Sequence, residues 1–309
     1  MTNAIRHRHI WQTIVVAALL FCGGAQTAHA NGWETGSLAE GGFNEALGDQ
    51  LDAAFADGEF DGLHGVVVVR HGKLLLERYY PGVDERWGQD LGMVEHDAET
   101  RHDLRSVSKS IVGILYGIAL DEGSVPPIDA PLLEQFPQYP DMPDLEAKRA
   151  ITIEHVLTMT LGLDWSEELP YTDPRNSEIA MERAPDRVRY VLEQPIERPA
   201  GEAWRYGGGM TALLGRLIAA GSGQSLDAFA GDRLFAPLGI ESWDWTRGSD
   251  GQPAAASGCR ASARDLLRIG AMVLQGGRWE DRQVVPAAWL AEAMAPQVVC
   301  EETLSYGYQ

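Results

Sequence analysis

The sequence predicts an α+β fold, an antiparallel sheet opened by a hairpin and followed by a long, mainly helical stretch. Three observations predict it. Two β-rich runs, Val66 to Arg70 and Lys73 to Tyr80, flank His71-Gly72, a residue pair ending in glycine that reads as a hairpin turn. From 106 to about 247 the apolar spacing is helical, interrupted by proline-rich loops. No glycine-rich phosphate loop follows the first strand, so a doubly wound nucleotide fold is not indicated and no cofactor is expected.

The chain has 309 residues, enough for one large domain or two small ones. Residues 1–30 read as a signal peptide. Arg6 and Arg8 give a positive start, Ile14 to Cys22 form an apolar run, and Ala28-His29-Ala30 supplies the small residues of a cleavage site. A run this short does not make a stable membrane anchor, so a periplasmic or secreted protein is expected, with no membrane span once the signal is removed. Phe43, Leu47, Leu51, Ala54 and Phe55 recur at helical spacing before the hairpin. A second helix opens at Ile151-Thr152-Ile153-Glu154 and stops at Gly162. Asp164 to Pro174 is a polar loop carrying Trp165 and Tyr171, whose rings are candidate substrate contacts, ordinary loop anchors being the alternative. Ala180 to Leu192 reads as one amphipathic helix, and Met210 to Ala220 as another after Gly207-Gly208-Gly209.

The formal net charge is −20, and loss of Arg6 and Arg8 with the signal makes it two units more negative. Such a surface repels polyanions, which argues against a nucleic-acid partner. Cys259 and Cys300 remain in the mature chain, and pairing and two buried thiols are equally open. Of the histidines outside the signal, His64, His71, His96, His102 and His155, none has HExxH spacing or a cysteine partner, so no metal site is expected.

Chemistry is concentrated at Ser106-Val107-Ser108-Lys109. A serine and a lysine three residues apart share one helix face, so hydroxyl and amine meet within a turn. The chain has only three lysines, Lys73, Lys109 and Lys148, and places this one at the head of an apolar run reading Leu104 to Leu120. Burial of that helix disfavours the ammonium form, and the helix dipole acts in the same direction. An uncharged Lys109 is therefore expected to serve as base for a Ser106 nucleophile. A capping serine beside a snorkelling lysine is the plain alternative. Tyr206, before the three glycines, is the second candidate for proton transfer. No serine lies in a GxSxG elbow and no histidine follows residue 155, so the order Ser, acid, His cannot be built from Ser106.

Several blocks in order, RSVSKSIVGILYGIALDEG, ITIEHVLTMTLGLDW, PAGEAWRYGGGMTALLG, LFAPLGI and SARDLLRIGAMVLQGGRW, resemble the serine β-lactamase-related hydrolases. That group includes class C β-lactamases, D-alanyl-D-alanine carboxypeptidases, esterases and 6-aminohexanoate-dimer hydrolases. The phrases starting GVVVVRHGKLLLERYYPG and HDLRSVSKS are most similar to the last of these. The resemblance covers about residues 60 to 309. It implies a β-lactamase/transpeptidase-like fold, with a helical subdomain inserted in the sheet. On this reading 31–309 forms one hydrolase domain: 31–105 the first helix and hairpin, 106–247 the helical part, 248–309 an incomplete return toward the sheet. It implies that Ser106 is acylated, that Lys109 is its base, that Tyr206 shares proton transfer, and that the Ser106 backbone N–H is half of an oxyanion hole.

Two departures shape the expectation. Penicillin-recognising relatives usually carry asparagine two places after the tyrosine, where this chain has Gly208, which argues for an ester or simple amide substrate. The family also expects a further strand with a Lys-Thr-Gly or His-x-Gly motif, and nothing after Tyr306 can supply it, so the sequence reads as a fragment of a longer frame. The expectation is an exported serine hydrolase acting on a small ester, amide or peptide-like substrate. A carboxypeptidase or β-lactamase is one alternative, and a catalytically inactive binding protein is another.

Overall fold

The structure, a computed structural model, describes residues 33–309, and the predicted signal peptide lies outside the described residues. The chain forms two compact units, one of residues up to 85 with 90–98, the other of 86–89 with 99–309.

In chain order the first unit contains β1 (Glu34–Thr35), α1 (Leu47–Ala56), β2 (Gly65–Arg70) and β3 (Lys73–Tyr79), then the hairpin β4 (Gly82–Arg86) and β5 (Gln89–Val94), whose tip counts with the second. β2 and β3 pair antiparallel around the expected turn, with Arg70 opposite Lys73, and an irregularity between Val68 and Val69 shifts the register by one residue, so that Gly65 faces Tyr79. The turn between them has φ of 53° at His71 and 77° at Gly72. Two successive positive φ values match the right-handed twist of the strands, which is why a pair ending in glycine marks this hairpin. β1 adds to β3 in parallel, a pairing that a two-residue strand gives no sequence signal for. Arg78 and Tyr80 both reach Asp52 of α1, at 3.1 and 2.7 Å, and so fix the helix on the sheet.

The second unit continues with β6 (Arg101–Asp103), α2 (Val107–Asp121), α3 (Leu145–Lys148), α4 (Ile153–Leu157), α5 (Ser177–Arg183), α6 (Arg187–Glu193), α7 (Gly208–Ser222), α8 (Leu226–Ala230), β7 (Asp244–Trp245), β8 (Cys259–Ser262) and α9 (Ala263–Leu274). β9 (Arg278–Trp279), β10 (Arg282–Gln283), α10 (Ala287–Ala293), β11 (Val298–Glu301) and β12 (Leu304–Tyr306) complete it. Strands β6 and β7 flank β8 antiparallel, while β9 pairs with β10 and β11 with β12. The fold is thus α+β with small sheets, as the sequence predicts.

The core lies between α2, α4 and α7, where Val112, Leu115, Val156, Leu157, Leu213, Leu214 and Ile218 are fully buried. Each such side chain contributes roughly 1.5–3 kcal/mol of transfer free energy. On α2 the glycines have a packing reason: the Trp289 ring lies against Gly117, where any side chain would collide with it, and its indole N–H donates to the Gly113 carbonyl at 3.0 Å. α4 starts on a capping box in which the Thr152 hydroxyl accepts from the His155 amide and the His155 ring accepts from the Thr152 amide.

Two elements differ from expectation. The helix expected to run from Ile151 to Gly162 ends at Leu157, and Met159 has a φ of 58°, outside helical geometry. The helix expected over 180–192 is two helices, α5 and α6, because Pro185 holds Ala184 in an extended conformation, ψ 144°, and Asp186 then caps α6 by accepting from the Arg189 amide. Cys259 is buried and Cys300 partly exposed, and both are free thiols.

Candidate active site

β6 delivers the chain to α2 through Arg105, whose φ of 47° is sparsely populated for a side chain of this size. This bend sets Ser106 at the head of a 15-residue helix. β8 holds the bend from both sides: the Leu104 amide donates to the Cys259 carbonyl at 2.9 Å, and the Cys259 amide to the Ser108 hydroxyl at 3.1 Å. The strained residue is therefore held in place by the neighbouring strand, the over-determination that such a backbone needs to persist.

One turn along, the Lys109 ammonium donates to Ser106 Oγ at 3.1 Å and to the Ala256 carbonyl at 3.2 Å, with only 2% of the residue exposed. The Tyr206 ring centroid lies 4.8 Å from Nζ. The structure brings together the three residues that the sequence singles out.

Lys109 differs from expectation in charge. Burial does push its pKa down, yet Glu178, the Tyr206 phenol and Glu167 together outweigh burial, and the net shift is upward. The site therefore favours the ammonium form over the neutral amine that the sequence leads one to expect. The helix is as apolar as expected, but two carboxylates reach the site from elsewhere. Glu178 Oε2 is 4.0 Å from Lys109 Nζ, and Glu178 Oε1 accepts from Ser257 Oγ at 2.9 Å. Glu167 Oε1 accepts from the Gly208 amide and the Trp165 indole N–H, both at 2.7 Å, and Tyr171 OH lies 2.8 Å from its Oε2. Burial and the nearby Glu178 charge raise the Glu167 carboxyl to about 7, against the opposing pull of Lys109.

A family model described as Beta-lactamase matches residues 51–309. The chain belongs to the β-lactamase family. It is 27% identical to a 6-aminohexanoate-dimer hydrolase of Paenarthrobacter ureafaciens over 64% of this chain and 51% of that one. It is 25% identical to the esterase EstB of Burkholderia gladioli over 56% of this chain and 44% of that one. The chain thus spans about half the length of these two relatives. Its fold is similar to that of a penicillin-binding protein from Bacillus halodurans, with a TM-score of 0.64 at 17% identity, covering 84% of this chain and 82% of that one.

Within this β-lactamase-family unit the remaining sequence candidates take different places. Trp165 is 1% exposed and lies under the glycine turn, where a Cβ on Gly207 or Gly209 would come within 2.7 Å of its ring. It anchors the loop and has no face left for a substrate. Tyr171 is 53% exposed and offers its ring to solvent while its hydroxyl stays on Glu167. Gly208 contributes its backbone N–H to Glu167 and, by lacking a side chain, leaves room for Glu178: a Cβ there would lie 2.8 Å from Oε2. The two carboxylates are what sequence reasoning missed. Glu167 sits in an acidic loop among other acids, and Glu178 in the first turn of a short helix, a common place for a solvated acid. A cleft of about 230 Å³ bordered by Tyr139, Arg187, Asp250 and Gln252 includes none of the three catalytic candidates.

Proposed function

We propose that the protein is an exported serine hydrolase that cleaves an ester or simple amide through an acyl-enzyme at Ser106. The observation that carries this reading is the 3.1 Å contact between Ser106 Oγ and Lys109 Nζ in a chain of the β-lactamase family. Ser106 Oγ attacks the substrate carbonyl carbon as its proton passes to Lys109. Lys109 must first lose its own proton to solvent, because the Glu178 carboxylate, 4.0 Å away, favours the ammonium form. The oxyanion forms at the positive end of α2, where the Ser106 backbone N–H supports it. Lys109 and Tyr206 then return the proton to the departing alcohol or amine. Water adds to the acyl-enzyme carbonyl and releases the acid, restoring the Ser106 hydroxyl.

The substrate class follows from Gly208 and Glu178. Where penicillin-recognising relatives usually present an asparagine amide, this chain has a glycine with a carboxylate packed against it. An ionised carboxylate accepts but cannot donate to a substrate carbonyl, which favours an ester or simple amide over a β-lactam or cell-wall peptide. The names of the two relatives, a 6-aminohexanoate-dimer hydrolase and an esterase, agree with this reading. Export rests on the pattern of residues 1–30. No helix of the described residues is long and apolar enough to cross a membrane.

Labelling with a fluorophosphonate, followed by intact-mass and peptide analysis, tests the nucleophile. A single adduct on Ser106, absent in Ser106→Ala, is expected, and folded protein without an adduct would overturn the assignment. Short acyl esters are expected to turn over faster than a chromogenic cephalosporin, and the opposite order would overturn the substrate class.

A further inference from the structure

Apart from the serine site, the first unit gathers three potential metal ligands that lie far apart in sequence. His64 stands directly before β2, Asp84 lies within β4, and His96 follows β5. His96 is 8% exposed, and its Nδ1 is 2.7 Å from the Tyr80 carbonyl oxygen. A carbonyl only accepts, so Nδ1 carries the proton. In the neutral ring Nε2 then presents a lone pair, and it points at Asp84 Oδ2, 3.4 Å away. Two lone pairs cannot face each other in a site whose side chains are 0% and 10% exposed without a positive charge on the ring or between the atoms.

The His64 ring stacks on His96, with centroids 4.0 Å apart and planes 18° from parallel. One donor atom from each of the three residues lies within 4.8 Å of the others. Backbone contacts hold the frame: the His64 carbonyl accepts from the Tyr80 amide at 2.9 Å, so the residue that fixes the His96 tautomer also registers His64. Gly82 gives independent support. A Cβ there would lie 3.0 Å from His64 Nε2 and 3.7 Å from His96 Cε1, so the missing side chain leaves space beside the donor edges of both rings.

We propose that His64, Asp84 and His96 bind a divalent transition-metal ion of the zinc type. Two imidazole nitrogens and one carboxylate oxygen are a donor set that zinc accepts. The Tyr80 carbonyl behind His96 is the outer partner that metal-ligating histidines ordinarily keep. The ion would join the entry to β2, the middle of β4 and the segment after β5, three places that no continuous sheet unites, so its role is to stabilise the unit. Sequence spacing gives no sign of it, because the ligands come from three separate segments.

The test uses the full chain, stripped with chelator and titrated with Zn2+ by calorimetry, with thermal unfolding followed in parallel. One equivalent bound per chain and a higher unfolding midpoint are expected. His96→Ala and the isosteric Asp84→Asn should each weaken binding by at least about tenfold. Cys300→Ser should leave it unchanged, which separates this site from the partly exposed thiol. Should His96→Ala fail to fold, Asp84→Asn alone decides. Zinc uptake equal in wild type and Asp84→Asn, or no uptake with a midpoint that responds only to pH, would overturn the proposal in favour of a proton held between His96 and Asp84.

Discussion

Glu178 occupies the space that any side chain at position 208 would need: a Cβ on Gly208 would lie 2.8 Å from its Oε2 and 3.0 Å from the Ala256 Cβ. A glycine at the head of α7 and an acid at the head of α5 are therefore one structural unit, and the acid is 4.0 Å from the Lys109 ammonium. Gly208→Asn should collide with Glu178, cost about 1–3 kcal/mol of stability, and slow fluorophosphonate labelling. Glu178→Ala in the same chain makes room and should recover part of the stability. The reading is wrong if the two substitutions are simply additive in a double-mutant cycle.

The two buried lysines should separate cleanly. Lys148 is as buried as Lys109, at 1% exposure, but its ammonium donates to the Pro143 and Leu192 carbonyls, both at 2.8 Å, and so ties α3 to the end of α6. Lys148→Met leaves those carbonyls unpaired and should cost about 1–3 kcal/mol of stability with Ser106 labelling unchanged. Lys109→Ala should reduce the labelling rate by roughly a thousandfold or more while the protein still folds. Equal labelling rates in the two variants would remove Lys109 from the chemistry.

That pair of lysines also shows how far the sequence could be read. Scarcity of lysine marks both Lys109 and Lys148 as unusual, but only the spacing to Ser106 distinguishes the amine that meets a serine hydroxyl from the one that caps carbonyls. The hairpin at His71-Gly72, the buried α2 and the meeting of Ser106, Lys109 and Tyr206 were legible because each depends on neighbours in sequence or on motifs in order. The charge on Lys109 was not, since Glu178 and Glu167, which join Tyr206 in outweighing burial, approach from a helix and a loop far along the chain. Local periodicity also carried the 180–192 helix through Pro185, where backbone sterics broke it.

Glu178 should set the pH at which the enzyme becomes active. Its carboxylate raises the Lys109 pKa and so favours the ammonium, the form that in the proposed mechanism must lose a proton before the amine can act as base. Glu178→Gln removes the first of the influences that oppose burial, which lowers the Lys109 pKa. The rising limb of kcat/KM for a short acyl ester should then move to lower pH in the variant. An unmoved limb would show that Glu178 does not govern the protonation of Lys109.

Glu167 should link stability to pH through the same cluster. Burial, reinforced by the Glu178 charge, raises its folded pKa to about 7 from an ordinary 4.5. Between those values the folded state binds a proton that the unfolded chain has released, so this residue contributes stability that is present at low pH and is lost as pH rises through that window. A glutamine in its place cannot ionise, and the amide oxygen can still accept from the Gly208 amide and the Trp165 indole N–H. Glu167→Gln should therefore unfold at a higher temperature than wild type at about pH 8, and the gap should close by about pH 4.5. Thermal unfolding of both proteins across that range measures it, and a gap that widened toward acid would mean that Glu167 is held ionised in the folded protein.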